Sequence, residues 1–238
     1  MMKYAKWSIG LTLIFLQASC NQPDQEVNVF SISYFFNDSD EGWTGDFADY
    51  PVGDSIAYEL VIKHDTIPTG TSANLTTKGM LVSGKNSSDD LFMFIKKKIS
   101  GLRPNATYEI LFNVRVASNA PTGAVGVGGA PGESVYLKAG VTLVEPKKEL
   151  ETGMYRMNID KGNQAEEGAD MINIGHVGVG TTTTKYTVII RNNNASSSFQ
   201  ITTDATGEIW LVVGSDSGFE GTTTLYYTQI DVAFNAVD

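Results

Sequence analysis

Two alternating segments carry the side chains most able to do chemistry. Asn113 and Arg115 fall on one face of the run Tyr108 to Val116, and Tyr136 and Lys138 fall on one face of the run Glu133 to Val144. A two-residue period sends successive side chains to opposite faces of a strand, so each run has one apolar and one polar face. If both strands lie in one sheet, the four residues decorate its outer face. A tyrosine ring flanked by amide and cationic donors suits a sugar: the ring meets the C–H face, and the donors meet hydroxyls or carboxylates. A plain solvated sheet face accounts for the same residues, and both readings stay open.

Two acidic loops offer other chemistry. Asp38, Asp40, Asp46 and Asp49 precede Pro51, and Asp216 and Glu220 flank a second turn. Carboxylate oxygens are the ligands calcium takes, so the loops suggest a structural calcium held by Asp38 and Asp40, with plain solvated loops as the alternative and no cofactor required; the spacing is not that of an EF-hand. Trp43 sits among these acids, where it serves either as a binding platform or as a plug at the end of a core. Trp210, flanked by Ile209, Leu211, Val212 and Val213, is expected in the core. His64 and His176 stand in neither a triad nor a metal spacing, so no catalytic centre is expected. The run Lys96-Lys97-Lys98 reads as a solvated or edge-protecting strand end, with an anion site as the alternative. The glycine-rich stretch from 120 to 132 lacks the lysine and following helix of a phosphate loop.

These side chains need a scaffold of strands. Tyr108, Ile110, Phe112, Val114 and Val116 share an apolar face, as do Val135, Leu137, Ala139, Val141 and Leu143. The last strand, Thr223 to Asn235, is expected to bury Tyr226, Ile230, Val232 and Phe234 and to turn Tyr227, Gln229 and Asp231 outward. About a dozen strands and no long amphipathic helix predict an all-β fold, an antiparallel β-sandwich of two packed sheets. The spacing of Leu102, Pro104 and Tyr108 resembles the tyrosine corner of Greek-key sandwiches, in which the phenol bonds to backbone a few residues upstream.

The N-terminus carries an address. Lys3 and Lys6, the apolar run Trp7 to Leu16, and the small residues before Cys20 read as a signal peptide over residues 1–19. Leu16-Gln17-Ala18-Ser19-Cys20 resembles the lipobox of bacterial lipoproteins, with Gln17 where that family prefers an aliphatic residue. The resemblance implies that Cys20, the single cysteine, is acylated with palmitate-class chains and becomes the first mature residue. Residues 20–26 then form a tether and 27–238 a single sandwich domain, anchored to the bacterial cell envelope at an outer membrane and facing the periplasm or the cell surface. Loss of residues 1–19 leaves 15 basic and 27 acidic residues, a net charge of −12. That surface repels phosphates, so nucleic acid is not an expected partner.

Two family resemblances bear on function. Phe35-Phe36-Asn37-Asp38 through Glu41-Gly42-Trp43, the segment Gly101 to Val116, and Gly214 to Val232 resemble the corresponding parts of jelly-roll carbohydrate-binding modules. This implies a jelly-roll sandwich that binds a polysaccharide or other extracellular ligand, with Asn113, Arg115, Tyr136, Lys138 and Trp43 as the candidate contacts. A protein-interaction or structural lipoprotein is the competing class. Tyr136-Leu137-Lys138-Ala139-Gly140 is similar to a motif of jelly-roll alginate lyases, whose Gln-(Ile/Val)-His motif lies on a neighbouring strand. Gln229-Ile230-Asp231 has aspartate where that histidine belongs, which removes the group expected to move the proton.

Overall fold

The computed structural model describes residues 29–68, 78–180, 185–194 and 199–237. Cys20, the 1–19 segment and the 20–26 tether lie outside the described residues. Fifteen strands occur among them: β1 (Val29–Phe35), β2 (Thr44–Ala48), β3 (Tyr50–Pro51), β4 (Val61–Thr66), β5 (Lys78–Lys85), β6 (Leu91–Ile99), β7 (Thr107–Ser118), β8 (Val135–Thr142), β9 (Lys148–Glu151), β10 (Met154–Met157), β11 (Met171–His176), β12 (Thr187–Asn192), β13 (Gln200–Thr202), β14 (Ile209–Ser217) and β15 (Thr222–Ala236). All pairings are antiparallel. The larger sheet runs β12-β7-β15-β5-β4, with β1 also beside β15 and β13 beside β7; the smaller runs β11-β8-β14-β6-β2; and β3-β10-β9 form a short ribbon. This is an all-β sandwich of jelly-roll type.

The core forms where the two alternating faces meet. Ile110, Phe112, Val114 and Val116 from β7 join Val135, Leu137, Ala139 and Val141 from β8 in one buried cluster between the sheets. Leu143 lies past the end of β8 and is 46% exposed, so the expected face stops one residue short of it. At the start of β7 the Arg103 N–H donates to the Tyr108 hydroxyl at 2.9 Å, which is the predicted tyrosine corner.

β15 departs from the expected alternation. Its register against β7 shifts between Tyr227, opposite Val116, and Gln229, opposite Arg115, leaving Thr228 as an extra residue. A bulge of one residue reverses the parity of everything before it. Tyr227 is therefore fully buried in the core, while Tyr226 packs on the outer face with Leu81, Ala117 and Ile67. The Thr228 hydroxyl donates to the Arg115 carbonyl at 3.2 Å, satisfying one group the bulge would leave unpaired.

The tryptophans also land in particular places. Trp43 is 1% exposed and packs edge-on against Tyr34 at 5.4 Å, so it plugs the core and offers no platform. Trp210 is half-buried on the outer face of the smaller sheet, with the Lys96 ammonium 5.4 Å from its ring, not in the core as expected. Leu211 and Val213 take the core, and strict alternation sends Trp210 and Val212 outward.

The outer face of the smaller sheet is covered. Met157 and Ile159 pack onto Phe92, Phe94, Met171 and Val212 there. The segment 158–170 and the β9–β10 ribbon form a cap over it.

Candidate functional site

The structure splits the four paired candidates. Asn113 and Arg115 lie on β7 in the larger sheet, whereas Tyr136 and Lys138 lie on β8 in the smaller one. The outer faces of a two-sheet sandwich point in opposite directions, so the four residues do not meet. Tyr136 is half-buried across from His176 and Asp216. Lys138 is fully buried beneath the cap.

Asn113 and Arg115 instead join residues from distant parts of the chain. In register across four strands run Ile190, Arg115, Gln229 and Phe35, and next to them Asn192, Asn113, Asp231 and Ser33. Strands are spaced about 4.8 Å apart, so each row crosses roughly 14 Å of the outer face. Within the rows Asn113 Nδ2 donates to Asp231 Oδ2 at 3.0 Å, and Gln229 Nε2 donates to Asp231 Oδ1 at 2.7 Å. Burial pushes the Asp231 carboxyl up, but hydrogen bonds from Gln229, Ser33 and Asn113 and the nearby Arg115 charge outweigh it and hold the group below its ordinary range. Phe35 is 52% and Ile190 48% exposed at the two ends of the first row. Gln229 and Asp231 face outward as the sequence pattern predicts, but alternation alone could not pair them with β7, and Phe35 was legible as part of a family-like segment but not as a partner of this row.

The opposite sheet holds a second polar cluster, buried at Lys138, Asp216, Asp49 and Lys161 and partly exposed at Asp90 and Arg156. Lys161, from the cap, lies 2.7 Å from Asp216 and 3.0 Å from Asp49; Arg156 lies 3.0 Å from Asp49 and 3.2 Å from Asp90; and Lys138 lies 3.5 Å from Asp216. Lys138 also donates to the carbonyls of Lys161 and Glu166. Burial depresses the Lys138 ammonium, with Asp216 opposing. In Lys161 burial acts the same way but is outweighed by Asp216 and Asp49, which raise it. Burial, then repulsion from Asp49, pushes Asp90 up to about 6. Gly140 belongs to the same arrangement, because a Cβ there would sit 2.0 Å from the Asp170 carbonyl oxygen. Lys138 and Gly140 of the Tyr-Leu-Lys-Ala-Gly segment thus fasten and admit the cap. Gln229-Ile230-Asp231 lies on the other sheet, so the strand neighbourhood of the lyase motifs is not present.

The calcium expectation does not fit Asp38 and Asp40. Both are exposed, and they hold their own turn: Asp40 Oδ1 accepts the Gly42 N–H at 2.8 Å, and Asp38 Oδ1 accepts the Asn37 amide at 3.0 Å. Among the described residues Asp49, Asp90 and Asp216 alone bring three carboxylates within 4.8 Å, and three cations, Lys138, Lys161 and Arg156, already stand against them. The lysine run is likewise committed: Lys96 to Glu145, Lys97 to the Glu41 carbonyl, Lys98 to Glu208. His64 bonds the Phe36 carbonyl and His176 accepts the Gly178 N–H, both local structural roles.

No family model matches the chain, and no curated protein matches it in sequence. Solved structures do align. A xylan-binding domain from Paenibacillus barcinonensis is 10% identical over 87% of this chain and 95% of its own, with a TM-score of 0.40. A C-terminal family 22 carbohydrate binding module of Clostridium thermocellum is 17% identical over 87% and 92%, with a TM-score of 0.35. The enzymatically active domain of a bacteriophage CBA120 tailspike protein is 7% identical over 82% of this chain, with a TM-score of 0.37, and the chain spans only 19% of that protein's length.

Proposed function

We propose that this chain is an exported lipoprotein, acylated at Cys20, that binds a glycan or similar extracellular ligand along the open outer face of its larger sheet. The observation that supports the reading is the pair of in-register rows. They set Arg115 and the carboxamides of Asn113 and Gln229 between two exposed apolar side chains, on a face where no described segment forms a cap like that over the opposite sheet. Hydroxyls find donors and acceptors in the rows, and sugar C–H faces find Phe35 and Ile190.

Titration against a polysaccharide panel tests the reading. Arg115→Ala and Gln229→Ala are expected to abolish the strongest binding, whereas Tyr136→Ala, on the other sheet, leaves it unchanged. Silence across the panel would shift the reading to a structural or protein-interaction lipoprotein. The anchor is tested separately, since Cys20→Ser should release the protein from membranes.

A further inference from the structure

We propose that the ligand is acidic, with a sugar carboxylate seated on the guanidinium of Arg115; this deepens the glycan reading and rests on it. Arg115 is exposed in the middle of the first row, and its guanidinium makes no hydrogen bond or ion pair among the described residues. Asp231, whose carboxylate feels the Arg115 charge, is already committed. Asp231 receives Asn113 on one oxygen and Gln229 on the other, with Ser33 as a third partner. An aspartate saturated by neutral donors sits beside the arginine without pairing with it. The lysines of β6 show the contrast, each held by a carboxylate or carbonyl.

A guanidinium presents a planar fork of donors that matches a carboxylate with two parallel bonds. Asn113 and Gln229 each give one amide hydrogen to Asp231, and each keeps a carboxamide oxygen that can accept from a hydroxyl. The rows therefore offer one cation, two acceptors and apolar ends, which is the complement of a chain bearing hydroxyls and a spaced carboxylate. The net charge of −10 does not oppose this at contact, because fields fade over roughly 8–10 Å at physiological salt.

The test uses the full chain and oligosaccharides of equal length in three forms: uronate-bearing, the same chains with their carboxyls reduced to alcohols, and sulfate esters. The carboxylate form is expected to bind about ten-fold more tightly than the reduced form, as one charge-assisted pair would produce. Arg115→Gln should bring the two to equal affinity, and Arg115→Lys should restore part of the difference. Equal affinity of the wild-type chain for acid and reduced ligands overturns the inference and leaves glycan binding standing. Preference for the sulfate ester alone also overturns it, since that geometry does not use the planar fork. Absence of binding to all three forms overturns the glycan reading itself.

Discussion

Replacing Lys161 by methionine isolates what the buried charges under the cap contribute. The ammonium lies 2.7 Å from Asp216 and 3.0 Å from Asp49, whose side chains are 0% and 4% exposed. It also rests 5.1 Å from the Phe92 ring, a contact that the methionine chain keeps in part, so the change is mainly one of charge. Removing one partner of a buried pair costs about 3–5 kcal/mol. The low end applies because Lys138 still stands 3.5 Å from Asp216 and Arg156 3.0 Å from Asp49. At about 2–4 °C per kcal/mol for a domain of this size, a loss of about 3 kcal/mol lowers the melting temperature by about 6–12 °C. Calorimetry at pH 7.5 measures it, with hydrogen exchange over residues 158–170 reporting whether the cap loosens first. The double variant Lys161→Met with Asp216→Asn removes the orphaned charge and should cost less than the sum of the two single changes. A single-variant shift below about 2 °C, or strict additivity in the double variant, would refute the claim that these charges act as one buried network.

Three further outcomes follow from the same geometry. Asp90 holds its proton more tightly folded, at about 6, than unfolded, at 3.8, so its contribution is greatest at acid pH and stability falls as pH rises between those values, by about 3 kcal/mol; Asp90→Asn should flatten that fall in pH-dependent melts and raise the melting point at pH 7.5, and a lower one would mean that the pair with Arg156 outweighs burial. Gly140→Ala drives a methyl against the Asp170 carbonyl oxygen and should open the cap to limited proteolysis within 158–170 while leaving glycan titrations at the other face unchanged. Tyr108→Phe loses the bond from the Arg103 N–H and should cost about 1 kcal/mol, read as a melting shift of about 2–4 °C.

The two rows across the larger sheet show how far a sequence pattern reaches. Asn113 and Arg115 were legible as outward residues because side-chain parity is a property of one strand, written in its own alternation. Their partners were not. Gln229 and Asp231 stand more than a hundred positions away, and only the pairing of β15 with β7 sets them beside Arg115. The same limit explains Tyr136 and Lys138, each correctly placed outside the core by parity yet carried to the opposite sheet by the crossover after β7.

What the sequence determined by itself was local: the strands with their buried faces and the tyrosine corner at Arg103 and Tyr108. Tertiary structure decided which strands share a sheet, where β15 bulges at Thr228, that Trp43 is core, and that a cap covers the outer face of the smaller sheet. Those outcomes depend on contacts between segments far apart in the chain, whose energies are settled by packing and pairing in three dimensions and leave no periodic trace in any one segment.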